Sequence, residues 1–487
     1  MAVRDPFVHA GPIQPGVQES EYHSYEDVRR EVVGDPANGK LGMQDDCWTG
    51  IAPDLFGSSG SYLRDVGGDL YLDFCGFFGT APLAFDHPAL RSEDFKEQLF
   101  HAAMYRISLS DFWPVDMADF VKAFRRVAGR DYLSWFFVVE GGGLAIENAL
   151  KSAFDWKVRK NIAKGLIKGD ATEEKRPLGT RVISFESAFH GRTGYTMSMT
   201  HTADPKKYKY FPKFDWFRIE PPVEEFDNNG QVNNAEQVQK AQAKALAEIK
   251  DILQKNPNDI AAILIEPMQA EGGDRHVAAS FFVELRRLCD ENDIILIYDE
   301  VQVGFGSSGR MWMHEYLGEK ARPDVIAFAK KAQVAGIMAS YKRFAEVEVN
   351  VFGTKPDSAS RLNSTWGGNP ADMVRCTAIL RAIEQERLLD NAMARGAEIL
   401  EGLRGICRQY PNVIGNPRGR GMLLAFDLKN PAQRPALHDV AMWKDEKLLS
   451  LTCGTKSIRF RPHLDTTPAE AQEAIEKLGR AVSRIQS

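Results

Sequence analysis

Two short apolar segments each end in side chains whose types suit chemistry on an amine. Asp299 and Gln302 follow the apolar run at residues 294–298, and Lys330 follows a second run at residues 325–329. Short runs rich in Ile and Val are typical of buried parallel strands, and ligands bind just outside the carboxyl ends of such strands. A carboxylate opposite a lysine in that crevice is the pair that pyridoxal phosphate needs, since the lysine forms a Schiff base and the acid keeps the pyridine nitrogen protonated. The alternative is that two strands simply end in polar loops.

A glycine turn provides a candidate anion site. Residues 140–143 are a glutamate and three glycines, between an apolar run at 132–139 and a helix predicted over residues 144–160. Glycines let backbone N–H groups approach a phosphate, and the helix dipole favours the negative charge. A tight turn would use the same residues, but the position between strand and helix favours phosphate binding. The turn at residues 363–369, rich in hydroxyls and glycine, is a second candidate phosphate contact.

Two further candidates follow the apolar run at residues 181–185. Phe189 is compatible with a place in the core, but in a pyridoxal phosphate site it would stack on the pyridine ring. Arg192 is compatible with a surface position, but an arginine in such a loop also suits bidentate capture of a carboxylate. The sequence alone leaves both alternatives open.

The elements that must position these side chains alternate along the chain. Apolar runs at 132–139, 181–185, 260–265 and 294–299 predict strands, and periodic segments between them predict helices over 144–160, 235–255 and 279–291. Strands that alternate with helices indicate an α/β fold with a mostly parallel, doubly wound sheet. Outside this region the patterns predict a hairpin at 62–74, a helix at 111–128, a long helical region at 371–410 and a small α+β domain.

Composition excludes several classes of function. The 487 residues are 44% apolar and 26% charged, which is ordinary for a globular protein, and a net charge of −6 gives no basis for binding nucleic acid or an anionic membrane. The six cysteines are scattered singly, without the spacing of a zinc site or a disulfide framework. No signal peptide or membrane-spanning run is recognisable, so we expect a cytoplasmic protein.

Taken in order, these segments resemble the class III (fold type I) pyridoxal phosphate-dependent aminotransferases from about residue 50 to the C-terminus. Within that family, residues 137–157, 269–276 and 328–334 are most similar to the L-lysine 6-aminotransferases. The next most similar subgroup is the 4-aminobutyrate aminotransferases, which share the pattern at residues 456–462. The resemblance implies a homodimer with shared active sites, in which residues 88–370 form the large cofactor-binding domain. Residues 1–87, an N-terminal arm and part of the small domain, would join residues 371–487, the rest of that α+β domain.

The resemblance also implies roles for individual residues. Lys330 would be the Schiff-base lysine, since the family pattern of an apolar residue, a small residue and lysine favours it over the adjacent Lys331. The implied cofactor contacts are Asp299 to the ring nitrogen, Gln302 to the phenolic oxygen, Phe189 on the ring face, Gly142 and Gly143 at the phosphate, and Thr365 from the neighbouring subunit. The implied substrate contacts are Arg192, Glu271, Asn363 and Arg459.

An enzyme that takes a terminal amine from one substrate and gives it to 2-oxoglutarate must change the charge beside the reacting carbon between the two half-reactions. The carboxylate of such a donor lies several atoms from the reacting carbon, so its anchor must be distant, whereas 2-oxoglutarate needs an arginine nearby. A bare arginine beside the terminal CH₂ of the amine donor would cost on the order of several kcal/mol, so we hypothesise that Glu271 pairs with Arg459 for the amine and swings away for the oxo acid. Arg461 shares a strand face with Arg459, and geometry alone does not choose between them; the family pattern favours Arg459.

Some positions depart from the subgroup. The L-lysine 6-aminotransferases have an alanine where Gly143 stands, and glycine, threonine and cysteine where Ala329, Ala332 and Ala335 stand. The expected activity is therefore transfer of the ε-amine of L-lysine to 2-oxoglutarate, with 4-aminobutyrate or another ω-amine as the alternative donor. A pyridoxal phosphate-binding regulator without turnover is the alternative outside the enzyme class. A nucleotide-binding dehydrogenase is disfavoured because residues 140–143 lack the required glycine spacing.

Overall fold

A computed structural model describes residues 22–45, 47, 49–168, 176–353 and 360–486. Of the predicted N-terminal arm, residues 1–21 lie outside the described residues. None of the helices in these ranges combines the length and apolar character needed to span a bilayer. The helices are α1 (Tyr25–Val33), α2 (Gly76–Gly79), α3 (Glu93–Met104), α4 (Val115–Val127), α5 (Gly142–Ala163), α6 (Gly194–Met199), α7 (Ala235–Lys255), α8 (Ala279–Glu291), α9 (Tyr341–Phe344), α10 (Pro370–Gln385), α11 (Leu388–Gln409) and α12 (Pro468–Gln486), with a π-helix at Ala436–Asp445.

The strands form one large sheet and several small ones. They are β1 (Pro53–Ser59), β2 (Tyr62–Asp65), β3 (Leu70–Asp73), β4 (Trp135–Val139), β5 (Arg181–Phe185), β6 (Phe217–Ile219), β7 (Val223–Glu224), β8 (Ile260–Ile265), β9 (Met268–Gln269), β10 (Arg275–Val277), β11 (Ile295–Asp299), β12 (Val325–Phe328), β13 (Ala335–Ala339), β14 (Ile414–Arg420), β15 (Leu423–Leu428), β16 (Leu448–Leu449), β17 (Leu451–Cys453) and β18 (Ser457–Phe460).

In the described ranges the large sheet has seven strands in the order β4-β13-β12-β11-β8-β5-β6. The strands all run parallel except β13, which is antiparallel to both of its neighbours. The carboxyl ends of β4, β5, β8, β11 and β12 therefore meet at one edge, where an open α/β sheet binds its ligands. The prediction of an α/β fold with a mostly parallel, doubly wound sheet is confirmed.

Helices cover both faces of this sheet because its central strands are apolar on both sides. Along β11, Ile295 and Ile297 pack into the cluster that contains α5, while Leu296 and Tyr298 pack into the cluster that contains α4, α7, α8 and α10. These central residues are fully buried. Burial of this kind stabilises the fold by roughly 1.5–3 kcal/mol for each large apolar side chain, so the sheet edge is a rigid support.

Both ends of the described chain contribute to a second core. Leu72 and Phe74, from β3 and its end, pack with Leu403 of α11, Phe460 of β18 and Leu478 of α12. The parallel pairing of β3 with β16 adds backbone hydrogen bonds to this contact. The predicted hairpin is present as β2 and β3, which pair antiparallel. The domain limits themselves stay a prediction.

Two predicted elements differ from the structure. The helical region at 371–410 is divided into α10 and α11, and Arg387 at the break has a left-handed backbone with φ of 53°. The helix predicted at 111–128 begins only at Val115, because Pro114 precedes it and a proline ring does not fit a helix interior.

Candidate active site

The predicted site residues lie at the carboxyl edge of the large sheet. Asp299 is the last residue of β11, and Lys330 comes two residues after β12. Phe189 follows β5, and Gly142 and Gly143 begin α5 immediately after β4. One cleft is lined by residues from all of these elements: Gly142, Gly143, Phe189, His190, Gly191, Glu266, Glu271, Asp299, Val301, Gln302 and Lys330.

Two polar groups contact the carboxylate of Asp299 and hold it in the cleft. Its Oδ2 lies 2.8 Å from Nδ1 of the buried His190, and its Oδ1 accepts a hydrogen bond of 3.0 Å from the N–H of Val301. The neighbouring Glu266 accepts the N–H of Phe189 at 3.1 Å. Burial, and then the charge of Asp299, raise the pKa of Glu266 well above its usual range. The raised pKa favours the neutral form of Glu266, the carboxyl group next to Asp299.

Lys330 and Lys331 point to different surroundings. Nζ of Lys330 lies in the cleft and donates a hydrogen bond of 3.1 Å to the carbonyl of Phe78. Nζ of Lys331 donates a hydrogen bond of 2.8 Å to the carbonyl of Ala81. Burial, followed by the charge of Arg459, lowers the pKa of Lys330 to about 7. A substantial fraction of this amine is therefore neutral and nucleophilic at physiological pH.

The backbone on both sides of the Lys330 contact is left-handed. Lys330 has φ of 46° and Phe78 has φ of 63°, a region that costs a residue other than glycine of order 1–3 kcal/mol. Such strain persists only where the surroundings enforce it, and it concentrates at functional sites. The carbonyl of Phe78 contacts the candidate catalytic amine.

The amino end of α5 forms one wall of the cleft. The first N–H groups of a helix have no intrahelical partner, and those of Gly142 and Gly143 belong to this set. A Cβ added to Gly142 would lie 2.7 Å from a methyl of Val301, so this position requires glycine. A Cβ at Gly143 would meet Thr193 at 3.5 Å, an ordinary contact.

Glu271 bridges two cations at the other side of the cleft. Its Oε2 accepts a hydrogen bond of 2.7 Å from Arg459, and its Oε1 accepts one of 2.5 Å from Nζ of Lys207. Burial would raise the pKa of Glu271, but the charges of Arg459 and Lys207 outweigh it and leave the pKa below its ordinary value. Arg459 also donates a hydrogen bond of 2.9 Å to Oε1 of Gln302.

Arg459 of β18 and Arg461, which directly follows this strand, have different partners. Arg461 forms a bidentate ion pair with Asp274, at 2.6 and 2.8 Å, and both side chains are buried. Arg459 is also buried, but its main carboxylate partner is Glu271, which lines the cleft. Geometry in the folded chain thus separates two arginines that the strand periodicity left equivalent.

Four predicted site residues do not line the cleft of the single chain: Arg459, which contacts its lining residues Glu271 and Gln302, and three exposed residues. The side chains of Arg192, Asn363 and Thr365 are exposed, and none of them lines the cleft. Among the described residues, Arg192 has no hydrogen-bond or ion-pair partner. It lies three residues after Phe189, which lines the cleft.

Sequence reasoning missed Lys207, His190 and Glu266. Lys207 ends a 3₁₀ turn, Pro205–Lys207, in a polar segment without periodicity, and nothing in that segment indicates its contact with Glu271. His190 and Glu266 each had a usable signal, because they follow β5 and β8 at the same edge as Asp299. A polar residue directly after any strand of a parallel sheet is a candidate for the ligand site.

Gly272 and Gly273 are among the residues that line a larger cavity of about 420 Å³. Its charged side chains are largely paired with one another, as Arg418 is with Asp427 at 2.8 Å. It contains neither Asp299 nor Lys330, so the smaller cleft is the better candidate for chemistry.

The groups of the cleft fit a flat, anionic aldehyde with a basic ring nitrogen. Glycine N–H groups at a helix terminus suit a phosphate, Phe189 presents an aromatic face, and the buried Asp299 suits a protonated ring nitrogen. Lys330 provides an amine for covalent attachment. The arrangement can therefore hold a cofactor of the pyridoxal phosphate type.

Comparison with known proteins gives a consistent result. The family model described as aminotransferase class-III matches residues 54–482. An L-lysine-epsilon aminotransferase of Mycobacterium tuberculosis is 42% identical over 434 residues, 89% of this chain and 92% of the relative. The solved lysine aminotransferase from M. tuberculosis superposes with a TM-score of 0.84 at 40% identity, over 94% of this chain and 99% of that chain. A 4-aminobutyrate aminotransferase of Kluyveromyces lactis is 30% identical, over 94% of this chain and 96% of the relative.

Proposed function

Because the chain belongs to the class-III aminotransferase family, we propose that this enzyme moves the ε-amine of L-lysine to 2-oxoglutarate. The products are 2-aminoadipate 6-semialdehyde and L-glutamate. The pairing of Glu271 with Arg459 beside Lys330 carries the proposal, since it offers a way to change the charge at the point where the two substrates differ. The higher identity to the relative named for L-lysine favours this donor over 4-aminobutyrate.

Pyridoxal 5′-phosphate is the proposed cofactor. The cleft offers Gly142 and Gly143 for its phosphate, Phe189 for its ring face, Asp299 for its ring nitrogen and Lys330 for its aldehyde carbon. When bound, pyridoxal phosphate withdraws electrons from the substrate carbon that bears the amine. Gln302 was predicted to bind the phenolic oxygen, and its side-chain oxygen accepts a hydrogen bond from Arg459, which leaves its amide N–H groups available as donors.

Lys330 is the proposed catalytic acid and base. Its Nζ, which lines the cleft, would take up the proton of the substrate carbon and return it. The lowered pKa of Lys330, about 7, suits this role, because a group that both accepts and gives a proton works best when its pKa is near the operating pH.

Two arginines are proposed to bind carboxylates at different distances from Lys330. Arg192 has no hydrogen-bond or ion-pair partner among the described residues and would anchor the distant carboxylate of L-lysine, and Asn363 would be a further polar contact of the substrate. Arg459 would bind the carboxylate next to the reacting carbon of 2-oxoglutarate once Glu271 has moved away. While L-lysine occupies the site, Glu271 neutralises Arg459 beside the apolar part of the substrate.

A homodimer with shared sites accounts for the residues outside the cleft. Thr365 and Asn363 are exposed in the single chain, and the neighbouring loop presents Phe112 and Trp113 with 68% and 82% of their surface exposed. This loop contacts the turn that carries Thr365, through a hydrogen bond of 3.2 Å from the N–H of Leu109 to the carbonyl of Thr365. A partner subunit covering the exposed aromatic residues would bring that turn to a cleft.

A cytoplasmic location is proposed with the same function. The six cysteines are free thiols, four of them buried, and no disulfide is needed to hold the described fold. This is the usual state of cysteines in a reducing compartment.

A substrate panel on purified enzyme loaded with pyridoxal phosphate tests the proposal. L-Lysine, L-ornithine, 4-aminobutyrate and putrescine are each paired with 2-oxoglutarate, and glutamate and cyclic imine are measured. The expected result is a clear preference for L-lysine. Preference for 4-aminobutyrate or putrescine would overturn the donor assignment, and absence of turnover with a bound cofactor would favour a non-catalytic binding protein.

A further inference from the structure

We infer that Lys207 holds the carboxylate of Glu271 when Glu271 leaves Arg459, and so controls how readily the enzyme accepts its dicarboxylate substrate. This inference rests on the proposed exchange of partners at Arg459. It makes Lys207 a positioning residue that determines specificity for the oxo acid.

The contacts of Glu271 divide between two elements. Oε2 is bound by Arg459 of β18, which is fully buried, while Oε1 is bound by Lys207 at the end of the turn Pro205–Lys207. The Lys207 side chain keeps 18% of its surface exposed, and its Nζ lies 5.6 Å from the centre of the Phe189 ring. Lys207 is therefore at the mouth of the cleft, between solvent and the candidate cofactor site.

The backbone of Glu271 is fixed, so any exchange of partners must be a side-chain movement. The carbonyl of Glu271 accepts the N–H of Gly454 at 2.9 Å. A Cβ at the next residue, Gly272, would lie 2.3 Å from the carbonyl oxygen of Ser187, so these two segments of backbone are closely packed. Asp274 lies 3.9 Å from Arg459, but its hydrogen bonds go to Arg461 in a bidentate pair, so Glu271 is the carboxylate hydrogen-bonded to Arg459.

Electrostatics then gives Lys207 its role. A carboxylate that moves away from its only cation inside a protein is strongly disfavoured, since it loses both water and its counter-charge. Glu271 has a second cation already in contact, and the flexible four-carbon stem of Lys207 allows the ammonium to follow the carboxylate. When Glu271 has left Arg459, its carboxylate still forms one ion pair, the one with Lys207. Without Lys207 the same carboxylate has no ion pair. Removing Lys207 therefore destabilises the released state more than the state paired with Arg459.

The experiment measures binding of glutarate, a dicarboxylate that lacks the reacting carbonyl, to the enzyme loaded with pyridoxal phosphate, by titration calorimetry. Lys207→Met should weaken glutarate binding about tenfold or more, and Lys207→Arg should restore most of it. Lys206→Met is the matched control, because Lys206 lies in the same turn and is exposed. The control should leave glutarate affinity unchanged.

A second pair of variants separates this role from direct binding of the ligand by Lys207. In a Glu271→Gln background no carboxylate needs to be held, so adding Lys207→Met should have little effect on glutarate affinity. An equal loss in both backgrounds would mean that Lys207 binds the dicarboxylate itself and would overturn the inference. Unchanged affinity for Lys207→Met would also overturn it, as would a wild-type enzyme that does not bind glutarate.

The outcome for the proposed function is distinguishable from the outcome for Lys207. If the wild-type enzyme prefers another amine but the pattern of glutarate affinities holds, the donor assignment fails and the inference on Lys207 stands. If L-lysine is preferred and Lys207→Met binds glutarate normally, the proposed function stands and the inference fails.

Discussion

At the scale of single residues, the neighbouring lysines 330 and 331 show how environment decides chemistry. Burial lowers the pKa of both to about 7, aided by Arg459 for Lys330 and by Arg461 for Lys331. The difference lies in access: Lys330 lines the cleft, and Lys331 is 2% exposed with its ammonium bound to the carbonyls of Ala81 and Pro462. A lowered pKa without access gives no catalytic residue.

The first prediction concerns covalent capture of the cofactor. When protein freed of cofactor is mixed with pyridoxal phosphate and reduced with borohydride, peptide mass spectrometry should find the label on Lys330 and not on Lys331. Because only the neutral amine attacks and the pKa is about 7, the rate of capture should rise as the pH increases through about 7 and level off above it. A rate still rising steeply above pH 9 would contradict the lowered pKa. Lys330→Ala is the control and should take no label.

The second prediction concerns the proposed switch at Glu271. Glu271→Ala leaves Arg459 without its main carboxylate partner, so binding an apolar CH₂ beside it should become unfavourable by on the order of 1–3 kcal/mol. We expect kcat/KM for the ω-amine donor to fall about tenfold to a hundredfold, with reaction of L-glutamate unchanged or faster. Stopped-flow absorbance of each half-reaction measures both. Equal losses in the two half-reactions would show that Glu271 supports the site without switching.

The sequence placed several candidate residues near one another but could not show their partners. Asp299, Lys330 and Phe189 could be predicted together because each follows a strand of one parallel sheet. Lys207 could not, because its contact with Glu271 joins segments 64 residues apart through a turn without a pattern. Arg459 and Arg461 were equivalent by strand periodicity, and only the tertiary structure assigns Asp274 to one and Glu271 to the other.

At the scale of elements, the amino end of α5 and the loops after the strands define the cleft. Apolar strands and long amphipathic helices could be predicted almost residue by residue, as for β5, β8, α7 and α8, because burial on both faces or on one stripe leaves a clear pattern. The antiparallel strand β13 (Ala335–Ala339) was not predicted. Its alanines and glycine have low strand propensity, and its conformation comes from pairing with β4 and β12.

The third prediction compares two glycines at the start of α5. Neither Gly142 nor Gly143 has a left-handed backbone, so the effect of alanine depends on space. Gly143→Ala meets ordinary contacts and should stabilise the protein by ~0.5–1 kcal/mol, because alanine loses less entropy in a helix. Gly142→Ala meets Val301 at 2.7 Å and should destabilise it by ~1–3 kcal/mol. Urea unfolding of both variants without cofactor measures the difference, and equal effects would contradict the packing at Val301.

At the scale of the whole molecule, the cleft depends on contacts between distant parts of the chain. Arg461, directly after β18, forms an ion pair with Asp274 beside the large sheet, and its backbone N–H donates a hydrogen bond of 2.7 Å to the carbonyl of Phe74. These buried links fix β18, and with it Arg459, relative to Lys330. A small domain formed by both ends of the chain, as the family resemblance implies, would need such contacts. No local sequence pattern encodes them.

The last prediction tests whether two chains share each site. Lys330→Ala removes the candidate catalytic amine, and Thr365→Asp places a negative charge where the partner subunit would contact the phosphate, so each variant alone should be inactive. In a homodimer with Thr365 supplied across the interface, a mixed dimer has one doubly altered site and one intact site. Random mixing of equal amounts makes half of the dimers mixed, so roughly a quarter of all sites should regain activity. The two variants are unfolded together, refolded and assayed, with each variant refolded alone as the control. If each chain forms its own complete site, the mixture stays inactive, because every site then carries one of the two substitutions.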